Sequence, residues 1–204
     1  NASCYQAISG GSGNTSEGLY GFIGGGANNC EFGLAAAAEG YNSIAGGSSN
    51  QIDNIAGGFI GGGNKNCLVE DNAGAKSGLW VIGGGGENLI YNPTGTSAGV
   101  LGATISGGYE NTIIEDVAGK QMETPTIGGG SKNCIHGAES SATIGGGGSN
   151  FIDRSDFSTI AGGENNTIVL AKMGFIGGGT SNAIATNSQF ATIIGGDGND
   201  TGGF

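Results

Sequence analysis

The chain has 204 residues, of which 48 are glycine and only 2 are proline. Glycine is about three times its usual share, but the scarcity of proline excludes collagen and polyproline segments. Charged residues make up 11%, far fewer than a chain kept unfolded by its charge would carry. The formal net charge of −11 counts against binding to nucleic acid or to anionic lipid, because both need a basic surface.

Membrane insertion is not expected, because the sequence contains no apolar run of the length that spans a bilayer. It also opens without the charged and apolar regions of a signal peptide. The repeat described below is already present at Ile8, so we expect a mature or trimmed product.

A seven-residue motif, Ile-x-Gly-Gly-x-x-Asn, occurs eleven times. It begins at Ile8, Ile23, Ile44, Ile60, Ile82, Ile105, Ile127, Ile144, Ile160, Ile176 and Ile193. Successive copies are 15 to 23 residues apart, which is too short for a helical-hairpin repeat of about 34 residues, and paired glycines disfavour helix. The sequence therefore predicts an all-β fold, a β-solenoid (β-roll or β-helix) of about eleven coils with one short repeat per coil.

Within each repeat the pattern predicts a strand, a turn and a second strand. The motif isoleucine points inward, the residue before it points outward, and the two glycines turn the chain. From the third copy to the tenth, the second residue after the asparagine closes the opposite wall; these residues are Ile52, Leu68, Ile90, Ile113, Ile135, Ile152, Ile168 and Ile184. The longer segments that follow, such as 91–103 and 114–125, are expected to form loops on one side.

A single coil cannot bury its isoleucines alone, so its stability has to come from stacking on its neighbours. The motif asparagines are predicted to stack as an amide ladder that satisfies the turn carbonyls. The structural residues predicted in this way include Ile44, Ile60, Ile144, Ile160, Ile176, Asn50, Asn66, Asn150, Asn166 and Asn182. We expect a single repeat domain over 1–204, without a separate cap or anchor domain.

Two runs carry a resemblance to known proteins, Ser-Ala-Thr-Ile-Gly-Gly-Gly-Gly-Ser-Asn at 141–150 and Ser-Thr-Ile-Ala-Gly-Gly-Glu-Asn-Asn at 158–166. They resemble the glycine-rich repeats of phage tail-fibre-like and bacterial surface proteins. More distantly, they are similar to the head repeats of YadA-type trimeric autotransporter adhesins. That resemblance implies a homotrimeric left-handed β-roll that binds a host surface. The present repeat is longer and less regular, and no coiled-coil stalk or membrane anchor accompanies it.

Self-association is the expected partnership. The repeat runs almost to both ends of the sequence without an evident polar cap, and an open solenoid end exposes unpaired strand edges. We therefore expect either a segment of a longer fibre or head-to-tail stacking into a filament.

The four cysteines leave three alternatives open. Cys30, Cys67 and Cys134 each follow a motif asparagine, and Cys4 precedes the first motif. Cys30 and Cys67 are predicted two coils apart, about 9–10 Å, which is too far for an intrachain disulfide. They are interpreted as small apolar residues near a turn, as interchain disulfides between protomers, or least favourably as a metal site.

One short run, Gly-Gly-Asp-Gly-Asn-Asp at 195–200, resembles a calcium-binding nonapeptide, and this single, isolated match makes Asp197 and Asp200 candidate calcium ligands. The corresponding position in other coils is a neutral asparagine. No other cofactor is expected. His136 is the sole histidine and has no nearby nucleophile or acid in a recognisable pattern, so an enzyme is not predicted.

Aromatic residues are the candidates for partner contacts: Phe22, Phe59, Phe175, Trp80, Tyr91 and Tyr109. The favoured function is a non-catalytic extracellular structural fibre subunit that stacks its coils and displays its loops. The alternative is an adhesin or viral tail-fibre segment, at a cell or virion surface, that binds a cell-surface glycan as a homotrimer. An outward threonine column, which includes Thr104, Thr126 and Thr143, also raises the less favoured hypothesis of an ice-binding solenoid.

Overall fold

The computed structural model describes residues 5–33, 40–71, 78–93, 100–115, 122–137 and 140–202. These residues form 21 short strands in two parallel sheets, with odd-numbered strands in sheet 1 and even-numbered strands in sheet 2. Sheet 1 contains β1 (Ala7–Ile8), β3 (Phe22–Ile23), β5 (Ser43–Ile44), β7 (Gly57–Ile60), β9 (Leu79–Ile82), β11 (Thr104–Ile105), β13 (Thr126–Ile127), β15 (Thr143–Ile144), β17 (Thr159–Ile160), β19 (Phe175–Ile176) and β21 (Thr192–Ile193).

Sheet 2 faces sheet 1 across the core. Its strands are β2 (Thr15–Ser16), β4 (Cys30–Phe32), β6 (Gln51–Asp53), β8 (Cys67–Glu70), β10 (Leu89–Asn92), β12 (Thr112–Ile114), β14 (Cys134–His136), β16 (Phe151–Asp153), β18 (Thr167–Val169) and β20 (Ala183–Ile184). Because each strand pairs with the strand two places along the chain, one odd and one even strand make up each coil. The predicted all-β solenoid of about eleven coils is confirmed, and it is about 50 Å long at the usual strand spacing.

The core consists of two columns of aliphatic side chains, one from each sheet. Ile144 pairs in register with Ile160 in sheet 1, and Ile152 pairs with Ile168 in sheet 2. All four are completely buried. Each buried isoleucine contributes about 2 kcal/mol of hydrophobic stabilisation, so the continuous columns, rather than any one coil, hold the fold together.

The glycine pair allows neighbouring coils to approach closely at the turn. The second glycine of the eighth motif, Gly147, has a φ of 88°. A Cβ at this position would lie 2.0 Å from the carbonyl oxygen of Gly163 in the next coil. Both the left-handed conformation and the close approach therefore require glycine.

The motif asparagines form the predicted ladder along the turn. Nδ2 of Asn166 donates to Oδ1 of Asn150 at 3.1 Å and to the carbonyls of Gly162 and Gly179 at 3.1 and 2.9 Å. Its Oδ1 accepts from the backbone N–H and Nδ2 of Asn182, both at 3.0 Å. Side-chain bonds of the same kind link Asn14, Asn29, Asn50, Asn66, Asn88, Asn111, Asn133, Asn150, Asn166, Asn182 and Asn199.

Several sequence predictions fall on parts of the chain that the structure does not describe. Six residues of each long predicted loop lie outside the described residues, 94–99 of the loop at 91–103 and 116–121 of the loop at 114–125. The loops begin later than predicted, because Tyr91 belongs to strand β10 and Ile114 to strand β12. Cys4 also lies outside them. Within the described segments, no helix has the length and apolar character needed to cross a membrane.

Removal of one asparagine from the ladder is expected to lower the free energy of unfolding. Replacing Asn166 with alanine leaves buried donors and acceptors of two neighbouring coils without partners, so we expect a loss of about 3 kcal/mol, measured by chemical unfolding. The adjacent Asn165 is exposed and has a φ of 56°, so Asn165→Gly is the matched control and is expected to change stability by less than about 1 kcal/mol. Equal losses in the two variants would contradict a structural role of the ladder.

Candidate functional surfaces

The outward face of sheet 1 carries a single column of residues that changes in character along the rod. Phe22, Phe59 and Phe175 are about 40% exposed, at 41%, 43% and 39%. Between them, four threonines lie in consecutive register: Thr104, Thr126, Thr143 and Thr159. The three phenylalanines predicted as contacts are therefore on the surface, but they are separated along the rod and do not form one patch.

A stack of tyrosines lies beside this column in the first three coils. The Tyr5 and Tyr20 ring centroids are 5.5 Å apart with an interplanar angle of 8°, and those of Tyr20 and Tyr41 are 4.8 Å apart with an angle of 13°. The rings pack face to face along the rod axis, and each tyrosine is more than a third exposed. Sequence analysis missed this stack, although each tyrosine occurs two residues before the outward residue of its strand.

The outward face of sheet 2 contains the three described cysteines in one column. Cys67 pairs with Leu89, Leu89 with Thr112, and Thr112 with Cys134, while Cys30 lies two coils before Cys67. The three cysteines are half-buried and have free thiols. Burial raises the pKa of Cys67 and of Cys134 to about 11, so both are protonated at neutral pH.

The other three predicted contacts, Trp80, Tyr91 and Tyr109, lie in three different environments. Trp80 lies in β9 and is completely buried, with its indole N–H donating to the carbonyl of Val100 at 2.8 Å. It is a core residue and has no surface for a partner. Tyr91 lies in β10 on the outward face of sheet 2, and its hydroxyl donates to Asp71. Tyr109 lies at the turn, 47% exposed, with its hydroxyl 3.2 Å from Glu87.

A surface cleft of about 350 Å³ lies where the chain leaves sheet 2 in the later coils. Its lining comprises Gly137, Arg154, Asp156, Leu170, Lys172, Thr186, Asn187 and Gln189. Lys172 Nζ is 3.4 Å from Asp156 Oδ2, and Arg154 contacts the carboxylate of Asp153. The cleft therefore presents guanidinium, ammonium, carboxylate and amide groups beside one aliphatic side chain, and such a polar lining suits a ligand that both donates and accepts hydrogen bonds.

His136 lies near this cleft and takes part in a charged cluster. Its Nδ1 is 2.6 Å from Asp153 Oδ1, and Arg154 Nε and Nη2 each lie 3.2 Å from the same carboxylate. This pairing makes His136 a half-buried member of a surface ion cluster on sheet 2.

The predicted calcium ligands belong to the last coil, with Asp197 at its turn and Asp200 beside Ala183 of β20. Asp197 is exposed and pairs by a backbone bridge with Thr180, and a carboxylate oxygen of Asp200 accepts from the N–H of Gly202 at 2.9 Å. Within the described part of the chain, no group of three or more histidine, cysteine or acidic side chains is arranged to hold a metal ion. Calcium binding at these two residues stays a prediction.

Buried carboxyl groups are a feature that sequence analysis did not anticipate. Glu31 occupies the core position that isoleucine or leucine holds in later coils, and its carboxylate accepts from Ser16 Oγ, the Gly18 N–H and Asn42 Nδ2 at 2.8, 3.1 and 3.0 Å. The sequence did contain a signal for this buried carboxyl group, because the second repeat has Glu31 where the following repeats have isoleucine or leucine. The polar partners are in other coils, so this signal alone does not reveal how the carboxylate is satisfied.

Glu70 is the second of these carboxyl groups. Its Oε1 accepts from Asn92 Nδ2 at 2.8 Å, whereas its Oε2 is buried without a hydrogen-bond partner in the described structure. Burial, together with the neighbouring Asp71, raises the pKa of Glu70 to about 8. The side chain is therefore protonated at and below neutral pH.

The chain was compared with known protein families and with curated proteins, and neither comparison gives a match. The repeat geometry and the surfaces described above are therefore the basis for a functional proposal.

The raised pKa of Glu70 predicts a pH dependence of stability. In the unfolded chain the carboxyl ionises near 4.5, and in the folded chain near 8, so folding binds a proton between these values. The stabilisation is complete below about pH 4.5 and declines as the pH rises towards 8. Glutamine at position 70 stays neutral at every pH, so the Glu70→Gln variant lacks this decline. The difference in melting temperature, variant minus native chain, should therefore increase from pH 5 to pH 8.

Glu87→Gln provides the control, because Glu87 is a surface carboxylate whose pKa is lowered by Lys65. It should not show a relative gain in melting temperature at higher pH. The same pH profile for the native chain and Glu70→Gln would contradict the assignment.

Proposed function

We propose that this chain is a non-catalytic structural element of an extracellular fibre, a rod that lengthens by stacking coil upon coil. The supporting observation is that every coil presents the same hydrogen-bonding groups along the axis. The N–H groups of Phe175 and Gly177 donate to the carbonyls of Ala191 and Ile193 in the next coil, both at 2.9 Å. A further coil, from the same chain or from a second copy, would meet equivalent donors on Thr192 and the residue after Ile193.

The asparagine ladder gives the stacking a direction. Each side-chain oxygen accepts from the following coil, as Asn182 Oδ1 accepts from the N–H and Nδ2 of Asn199 at 3.1 and 2.9 Å. Asn199 would offer its oxygen to an added coil in the same way. A contact between the opposite ends of two identical molecules is heterologous, and such contacts generate open filaments. We place the fibre outside the cell, where an acidic, lysine-poor surface is compatible with solubility.

End-to-end stacking is tested by removing one donor. Thr192→Pro deletes the backbone N–H of β21 that points along the rod axis, away from β19. Proline is tolerated there because β21 pairs with β19 through the other side of the strand. Electron microscopy of the native chain should show unbranched filaments, and the variant should give filaments at least fivefold shorter. Thr192→Val keeps the N–H and should match the native chain.

Single rods of about 50 Å for the native chain, at micromolar concentrations, would refute stacking of this chain on itself. Filaments of equal length from Thr192→Pro and the native chain would show that the free backbone edge of β21 is not the contact.

The cleft around Arg154 supports a second candidate function, an adhesin or tail-fibre segment that binds a cell-surface glycan. Guanidinium and amide groups bond sugar hydroxyls readily, and Asn187 and Gln189 supply amides here. A glycan array should then detect a ligand for the native chain, and Arg154→Gln should weaken its binding at least tenfold. Lys132→Gln is the control, because Lys132 is an exposed cation that pairs with Glu110 away from the cleft. Equal binding by both variants would exclude the cleft.

A further inference from the structure

A column of exposed apolar side chains lies beside the cleft, between it and the next strands of sheet 1. Each member directly follows a cleft residue in sequence and stands two residues before β17, β19 or β21. The backbone holds the members in register, because the N–H groups of Met173 and Phe190 donate to the carbonyls of Asp156 and Lys172 at 2.8 and 3.0 Å. These residues form the apolar ledge: Phe157, Met173 and Phe190.

Folding alone does not account for bulky apolar residues on the ledge. The side chains of Phe157, Met173 and Phe190 are 54%, 48% and 69% exposed. All three have a left-handed backbone, with φ of 52°, 55° and 59°. Glycine and asparagine adopt this conformation at lower cost, and bulky side chains are uncommon in it. Because neither burial nor backbone preference favours these residues, their exposed surface indicates a contact outside the chain.

The cleft and the ledge together form a groove along the rod axis. The cleft lining comes from four successive coils, from Gly137 in the seventh to Asn187 in the tenth. At the usual strand spacing this lining extends over about 14 Å. The groove therefore suits an elongated ligand with a repeat along its length.

A peptide is a poor match for this groove. Peptides that add to a sheet need a free strand edge, whereas the backbone here is already hydrogen-bonded between coils. The N–H groups of Arg154, Leu170 and Asn187 donate to carbonyls of the preceding coils at 2.9, 3.0 and 3.2 Å. Recognition therefore falls to the side chains.

The charges of the groove favour a neutral ligand. Arg154 contacts the carboxylate of Asp153, and Lys172 contacts that of Asp156. These two cations and two anions cancel in formal charge, so they give no preference to a phosphate or an anionic lipid. The same groups, with the amides of nearby side chains, still donate and accept hydrogen bonds.

A sugar chain matches both sides of the groove. Its hydroxyl groups donate and accept, as the polar lining requires, and the C–H groups of its ring faces pack on the electron-rich face of an aromatic ring. Phe157 and Phe190 are two coils apart, about 10 Å, with Met173 between them. In an extended β-1,4-linked hexose chain, every second ring recurs at nearly this distance.

We propose that the groove binds an extended, neutral, β-1,4-linked polysaccharide that lies along the rod axis, with alternate rings on Phe157 and Phe190. This inference rests on the second proposed function, glycan binding by the cleft around Arg154. It adds the linkage, the charge and the orientation of the glycan.

Soluble hexasaccharides test the class of ligand. In isothermal titration calorimetry the native chain should bind cellohexaose or chitohexaose at least tenfold more tightly than maltohexaose, whose α-1,4 linkages curve the chain. It should prefer them by the same margin to a galacturonate hexamer, which carries a carboxylate on every ring.

Substitutions on the ledge test the contact. Phe157→Asn and Phe190→Asn should each weaken binding at least tenfold without lowering the melting temperature, because asparagine suits the left-handed backbone. Phe59→Thr is the control, because Phe59 is 43% exposed on sheet 1, three coils before the groove begins. It removes an exposed phenyl ring and should bind like the native chain.

The results separate this inference from glycan binding by the cleft. If Arg154→Gln weakens binding of a hexasaccharide but both asparagine variants bind it like the native chain, the cleft function stands and the ledge is overturned. Tighter binding of maltohexaose or of the galacturonate hexamer overturns the proposed linkage or charge. If neither β-1,4-linked probe binds at about 1 mM, the inference fails, whereas the cleft function fails only if the glycan array is also negative.

Discussion

The register between neighbouring coils is the constraint on which the rest of this structure depends. Burial of the isoleucine columns excludes a one-residue slip, which would turn each isoleucine outward, but it discriminates less sharply against larger shifts because hydrophobic burial is not directional. The asparagine ladder removes this freedom, since each amide has to meet an oxygen of the previous coil and a carbonyl of the next. At Asn150 the two acceptors, Asn133 Oδ1 and the carbonyl of Gly163, lie at 3.1 and 2.9 Å on opposite sides. The ladder therefore provides the specificity, and the aliphatic columns provide most of the stabilisation.

The repeat allowed the fold to be predicted in some detail, because features that recur in every copy have the same physical cause in each. Inward Ile144, the left-handed turn at Gly147 and the ladder at Asn150 follow from the motif alone. Features that occur once did not follow. Glu31 replaces an aliphatic core residue and is satisfied by Asn42, eleven residues away, in the next coil. Trp80 is in the core because the inward alternation of β9 extends for two more residues, a length that the motif does not specify.

The surfaces were less predictable for a related reason. A β-solenoid exposes two faces and a turn, and the motif constrains only the inward half of each coil. The outward residues are free to vary, so an aromatic residue such as Phe175 identifies an exposed position without indicating its neighbours. Register supplies that information: it places Tyr5, Tyr20 and Tyr41 in one stack and brings Cys67 into the same column as Leu89. None of these neighbours is close in sequence.

The proposed end-to-end contact depends on the same register. It continues the backbone and amide hydrogen bonds of the ladder, and it gives the added coil the same environment as an internal one. Because these groups carry no formal charge, the contact itself should depend weakly on salt. Two molecules of charge −11 nevertheless repel one another as they approach, and salt screens that repulsion.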